Sequence, residues 1–448
     1  MWNECNQLVA KAEKYCEGIP AIGFDIDVTQ KRPTIVEVNE ETEIEAIQLQ
    51  VKRGIEESNV IKNKGDFMKK ICFITTIPNT LKGFVLEFAK YMHDNDEYDI
   101  TFICDKNEEF GKQLPEYIHY LPVEMERGIS IGGIKACAKM YKIFKKNKFD
   151  IIQYSTPNAS LYASIAGWLA HIPVRLYCQW GLAFIGFSGL KQKVFIQEEK
   201  LVCRLSTWIE PDSWGNLEFC HEKKLYPLNK GSVVHKGSAS GVSLEKFDVS
   251  QKAIYRKGIR KKWNIPENAF VYGFVGSLTG DKGLNELLMA SREILKEHED
   301  VRVLLIGNFD KEYSINKELL SWSKDENKVI YCGSTSYVQK YMAAMDCYVM
   351  PSYREGFGLT VVEAGAMGLP VICTDIPGPT DAIKNGITGI VIKNKDYLEL
   401  KDAILTLYND RELADKLGHN GLENVKENYE QKNLFRYILE DRNKLLRK

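Results

Sequence analysis

Strand-length apolar runs alternate with helix-period stretches along most of this chain, and Gly, Pro, Ser or Thr closes many of the runs. In the second half, residues 270–278, 301–307, 329–334, 346–352 and 371–374 read as buried strands leading into loops. Between the first two, Leu284, Leu287, Leu288, Ile294 and Leu295 place an apolar stripe on one helix. Residues 359–367 predict a second helix, stopped by Gly368 and Pro370. The first half repeats the pattern at 69–76, 100–103, 151–154 and 174–177, with 78–84 as a loop opening a helix. Such alternation predicts an α/β protein with parallel sheets. Residues 161–174 are the most apolar stretch, too short to span a bilayer and interrupted by His171, and so predict a buried helix. Residues 431–448 read as a final helix, and near the start 23–29 and 33–39 alternate with period two as a hairpin.

Composition narrows the class. With 448 residues and 44% hydrophobic content, the chain can build two large cores. The net charge of −1 argues against nucleic acid as the main partner. That balance is uneven: residues 1–67 carry eight Lys/Arg against thirteen Asp/Glu, whereas the remainder is net basic. The 11 cysteines are scattered without a Cys-x-x-Cys pair, and Cys72, Cys104, Cys332 and Cys373 fall in strands. They read as reduced core thiols of a cytosolic protein, with no signal peptide evident. Seven histidines show no metal-ligand spacing, so no metal site is expected. Lys135, Lys139, Lys142, Lys145, Lys146 and Lys148 crowd one helix with Ile134, Tyr141, Ile143 and Phe144 between them, and Lys191 and Lys193 follow. Two readings stand side by side: a solvated helix face over a core stripe, or a helix lying on an anionic membrane.

The chemistry concentrates between Glu355 and Glu363. Gly356 and Gly358 allow close backbone approach to a ligand, and the helix that starts at Leu359 and Thr360 points its first amides at the same place. Such termini favour phosphate. Two carboxylates would repel phosphate unless they face something else, and sugar hydroxyls are their natural partners. A ligand with hydroxyls on both sides of a diphosphate is a nucleotide-sugar. The run at 270–278, closed by Gly276 and Ser277, leads through Lys282 to another helix start. A helix dipole does not favour a lysine there, which points to an anionic ligand.

Glu355 and Glu363 within this glycine framing resemble the signature of the retaining glycosyltransferases with the GT-B fold, family 4. The resemblance covers about residues 68–440 and implies two Rossmann-like domains facing a cleft. It implies domains over 68–250 and 251–430, with a linker near 245–265 and a helix at 431–448 crossing back to the first domain. It places Glu355 by the donor sugar, Glu363 on the ribose, and the amides of Gly356, Phe357, Gly358, Leu359 and Thr360 against diphosphate and sugar. Gly276, Ser277 and Lys282 would face the diphosphate, Gly333 and Ser334 the base, and Lys82 and Gly83 the diphosphate from the other lobe. Two positions depart from the pattern. Ser277 stands where the family has an Arg, a loss for which Arg354 is the candidate replacement, and Trp180 stands where a His is usual. The implied activity is transfer of a hexose-type sugar from a nucleoside-diphosphate donor, UDP above all, to a glycan or polyprenyl-linked glycan in cell-surface polysaccharide synthesis. No cofactor is required, magnesium being optional at most.

Residues 1–67 resemble the last hairpin of an ATP-grasp domain, whose Glu and Asn, here Glu37 and Asn39, hold magnesium. The rest of such a domain is missing, so the segment reads as a remnant that docks on an ATP-grasp partner, with no metal of its own. Two alternatives keep the GT-B fold but change the function: a nucleotide-sugar epimerase, which needs no acceptor, and a non-catalytic scaffold in a glycan-assembly complex. A dehydrogenase is disfavoured because no Gly-x-Gly-x-x-Gly follows a strand.

Overall fold

The computed structural model describes residues 23–28, 33–39, 68–125, 131–310 and 312–447. Strands β1 (Gly23–Val28) and β2 (Pro33–Asn39) pair antiparallel with an irregularity at Asp25/Ile26, within a unit separate from Lys69–Lys448. The side chains of Glu37 and Asn39 lie outside what is described.

Two six-stranded parallel sheets organise the larger unit. The first joins β3 (Lys69–Ile74), β4 (Tyr98–Ile103), β5 (Ile118–Tyr120), β6 (Ile151–Tyr154), β7 (Val174–Gln179) and β8 (Trp208–Pro211) in the order β5-β4-β3-β6-β7-β8. The second joins β9 (Phe270–Val275), β10 (Val301–Ile306), β11 (Val329–Gly333), β12 (Cys347–Met350), β13 (Val371–Thr374) and β14 (Ile390–Ile392) in the order β11-β10-β9-β12-β13-β14. Both are doubly wound Rossmann-like sheets, and each reverses strand order beside its first strand, where ligands bind. Their central strands are largely apolar because helices cover both faces.

Several predicted elements change in detail. Residues 78–84 are not a loop: Pro78–Thr80 is a helical turn, and Leu81–Val85 is a π-turn running into the helix Leu86–Asn95. The wider turn buries both Leu81 and Val85 and leaves Lys82 and Gly83 exposed. The apolar helix spans Pro157–Ala170 and is buried over most of its length, stopping where His171 turns left-handed at φ 60°. Residues expected as linker instead form a helix, Lys252–Lys262, whose buried Arg260 reaches Asp346 and the carbonyl of Ala344 in the second lobe.

The chain crosses between lobes earlier, beside its return. Val242 donates to the Tyr429 carbonyl at 2.8 Å, and Gln431 donates back to Val242 at 3.0 Å. The helix Gln431–Arg447 then packs Leu434, Phe435, Ile438 and Leu439 into the first lobe, with the Phe435 ring 5.4 Å from Phe88.

Candidate active site

A cavity of about 490 Å³ opens between the lobes, within the range of small-ligand sites. Its walls are the loops that follow the carboxyl ends of strands in both sheets. Thr80 and Phe84 follow β3, Thr156 and Pro157 follow β6, Trp180 and Gly181 follow β7, and Asp212 follows β8. Gly276, Ser277 and Lys282 follow β9, and Glu355, Gly356, Phe357, Gly358, Leu359 and Thr360 follow β12.

The loop after β12 is held from below and from across. Phe357 is buried with its ring 5.3 Å from Tyr429, which pins the turn. Gly358 adopts φ 81° and starts the helix Leu359–Ala366 with no side-chain cap, so the helix offers its first amides to the cavity. From the first lobe, Asn216 Nδ2 donates to the Gly356 carbonyl at 2.8 Å, and Ser213 Oγ does so at 3.4 Å. Gly356 has no room for a side chain: a Cβ there would lie 2.6 Å from Asp212 Oδ2. Asp381 of the second lobe accepts from the amides of Trp214 and Gly215, which open the helix Trp214–Glu222. The lobes are therefore clasped directly over the loop.

Residues 256–424 match the family Glycosyl transferases group 1, and residues 70–209 match Glycosyl transferase 4-like. The capsular polysaccharide biosynthesis glycosyltransferase CapM of Staphylococcus aureus is 30% identical over 324 residues, covering 71% of this chain and 84% of CapM. The chain belongs to the group 1 glycosyltransferases. A UDP-Gal:alpha-D-GlcNAc-diphosphoundecaprenol alpha-1,3-galactosyltransferase of Escherichia coli is 24% identical over 325 residues, 71% of this chain and 82% of that enzyme. The crystal structure of Anabaena HepE in complex with UDP-glucose superposes with a TM-score of 0.68 at 19% identity, covering 84% of this chain and 99% of the other. The fold of this glycosyltransferase is GT-B.

In this glycosyltransferase, Lys282 and Glu355 meet in an ion pair, with Nζ 2.7 Å from Oε1 and 2.8 Å from Oε2. Sequence reasoning assigned one to the diphosphate and the other to sugar hydroxyls, and the structure brings the two together face to face. Opposite charges in a half-buried cleft satisfy one another. The other sequence-based candidates distribute unevenly. Arg354 does not line the cavity: it pairs with Asp281 at 2.9 Å and packs against Gly186, so it does not stand in for the missing Arg beside Ser277. Lys82 and Gly83 point to solvent from the π-turn, while their neighbours Thr80 and Phe84 reach the wall. Gly333, with φ 70°, and Ser334, which accepts from Asn308 Nδ2 at 3.2 Å, close β11 outside the lining, and Glu363 lies one helical turn behind Leu359 and Thr360. Burial lifts the Glu363 carboxyl to about 7, against the opposing field of Lys246.

Sequence reasoning missed the acids of the first lobe. Burial raises Asp212 to about 7 against hydrogen bonding from its own amide and from Asn216, and the fields of Asp381 and Glu355 add to the rise. Burial likewise raises Glu199 to about 7 against its hydrogen bonds from Gln179 and Tyr177. Both line the cavity. Trp180, in place of the family's His, lines it too, with its ring 5.5 Å from Phe84. Among the described residues, no cluster of His, Cys, Asp and Glu suits a metal ion.

Proposed function

We propose that this enzyme is a retaining hexosyltransferase. It takes its sugar from a UDP donor and passes it to a polyprenyl-diphosphate-linked glycan during cell-surface polysaccharide synthesis. The observation that carries the reading is the Lys282–Glu355 pair set beside the uncapped helix start at Leu359 and Thr360, in one interlobe cavity. A diphosphate entering there takes Lys282 from Glu355 and accepts from the loop amides. Glu355, so released, turns to the sugar hydroxyls. As the glycosidic bond breaks, charge grows on the departing diphosphate, which Lys282 and the amides stabilise, and that phosphate takes the acceptor's proton. No metal is needed in this account, magnesium being optional.

The name of the diphosphoundecaprenol-directed galactosyltransferase supports the acceptor class, and that of CapM supports a place in polysaccharide synthesis. A second feature supports work at a membrane surface on the cytoplasmic side. No helix among the described residues is long and apolar enough to cross a membrane. Yet the helix Ile131–Asn147 exposes Ile134 and Tyr141 among its lysines. The helix Gly189–Leu205 exposes Leu190 and Val194 beside Lys191 and Lys193. Apolar side chains ringed by lysine suit an anionic lipid surface. For residues 1–67 the reading stays that of an ATP-grasp-like remnant that docks on a partner.

The test is a panel of UDP-sugars assayed for UDP release with and without a membrane glycolipid extract. Release that depends on the extract supports the reading. Conversion of a UDP-sugar to its epimer without acceptor would establish the epimerase alternative in its place.

A further inference from the structure

Asp212 is 7% exposed, directly follows β8 and forms part of the cavity wall. Its Oδ1 is buried and has no hydrogen-bond partner. Buried polar atoms are almost always satisfied, so an unpartnered carboxylate oxygen on a residue that lines a cavity marks a place for a further donor. The side chain is held where it is. Its neighbours Ser213 and Asn216 are tied to the Gly356 carbonyl, and its Oδ2 lies against the Gly356 backbone.

The surroundings limit what the missing donor can be. The charged groups acting on the carboxyl are Asp381 and Glu355, both acids. The cation in the cavity wall, Lys282, is held by Glu355 and in the proposed reaction goes to the diphosphate, so in neither case does it serve Asp212. Asp381 in turn is engaged by the amides of Trp214 and Gly215. Three acids repel a phosphate oxygen, and their engaged partners leave no protein cation for Asp212. A neutral hydroxyl, donating to the carboxylate, fits both constraints.

We propose that Asp212 is a sugar-binding residue whose Oδ1 accepts a hydrogen bond from a hexose hydroxyl in the cleft, on the transferred sugar or on the acceptor sugar. The proposal rests on the reading of the cavity as a nucleotide-sugar site. Asp212 then supplies from the first lobe what Glu355 supplies from the second, and the interlobe clasp sets the distance between them. A bound hydroxyl also favours the ionised form of a carboxyl that burial pushes towards the neutral one.

The experiment compares the full-length wild type with Asp212→Asn and Asp212→Ala. Melting temperature, calorimetric affinity for UDP and for a UDP-hexose that the wild type uses, and KM for the glycolipid acceptor are measured. Removing an unpartnered buried acid should leave the melting temperature unchanged or raise it, and UDP affinity should be unchanged. A loss of about 10–100-fold in UDP-hexose affinity assigns the contact to the transferred sugar. An unchanged donor affinity with a comparable rise in acceptor KM assigns it to the acceptor. Wild-type values throughout in both variants would overturn the proposal while leaving the nucleotide-sugar reading intact. So would a joint fall in melting temperature and UDP affinity, which marks a structural role. A wild type that binds no UDP-hexose would overturn both.

Discussion

Lys282 and Glu355 hold each other at 2.7 Å as a pair of opposite charges in the cleft. A diphosphate must compete with Glu355 for Lys282, and the two substitutions should therefore differ. Glu355→Ala frees the lysine: UDP should bind at least as tightly as in the wild type, while turnover falls by about 10²-fold or more. Lys282→Ala should weaken UDP binding and lower kcat together. Calorimetry beside a UDP-release assay checks both, and equal losses of UDP affinity would contradict the competition. Both residues were legible in the sequence because glycines frame Glu355 and Lys282 sits at an unfavourable helix start. Asp212 was not. Glu-Pro-Asp-Ser has no diagnostic spacing, and its carboxyl matters only because folding sets it against Gly356 from the other lobe. Arg354 misled for the converse reason: it adjoins Glu355 in sequence, but Asp281 draws it away.

Among the elements, the last helix shows how the lobes are joined. Arg442 is 1% exposed, and its guanidinium pairs with Glu210 on β8 and bonds Gln153 on β6 at 2.9 Å. Removing one partner of a buried pair strands the other charge, at a cost of about 3–5 kcal/mol. Arg442→Met should destabilise the protein by that amount in a denaturant titration, and adding Glu210→Leu should restore much of it. A destabilisation under about 1 kcal/mol would show that the pair is not what anchors the helix. The apolar stripe of this helix could be read from period alone, as could the parallel strands, because burial on both faces forces continuous apolar runs. The π-turn at Leu81–Val85 could not, since it answers to where Leu81 and Val85 find a core. Likewise the linker that the family resemblance placed near 245–265 takes in the helix 252–262, because Arg260 is buried against carbonyls and Asp346.

At the level of the whole molecule, the cleft and the exposed apolar-basic helices belong to one catalytic unit. If those helices rest on lipid, sedimentation with anionic vesicles should fall as salt rises and be absent with neutral vesicles. Replacing Lys142, Lys145 and Lys146 with Glu should reduce it about 10²-fold or more, at roughly 1 kcal/mol for each lysine lost. Binding indifferent to both salt and these substitutions would remove the membrane from the account. The central claim is that a nucleotide-sugar sits between the lobes on the β12 loop. Hydrogen–deuterium exchange with and without a UDP-hexose tests it most directly. The account predicts slowed exchange at the amides of Gly356 to Thr360 and around Gly276 and Ser277; slowing elsewhere, with these amides unchanged, would contradict it.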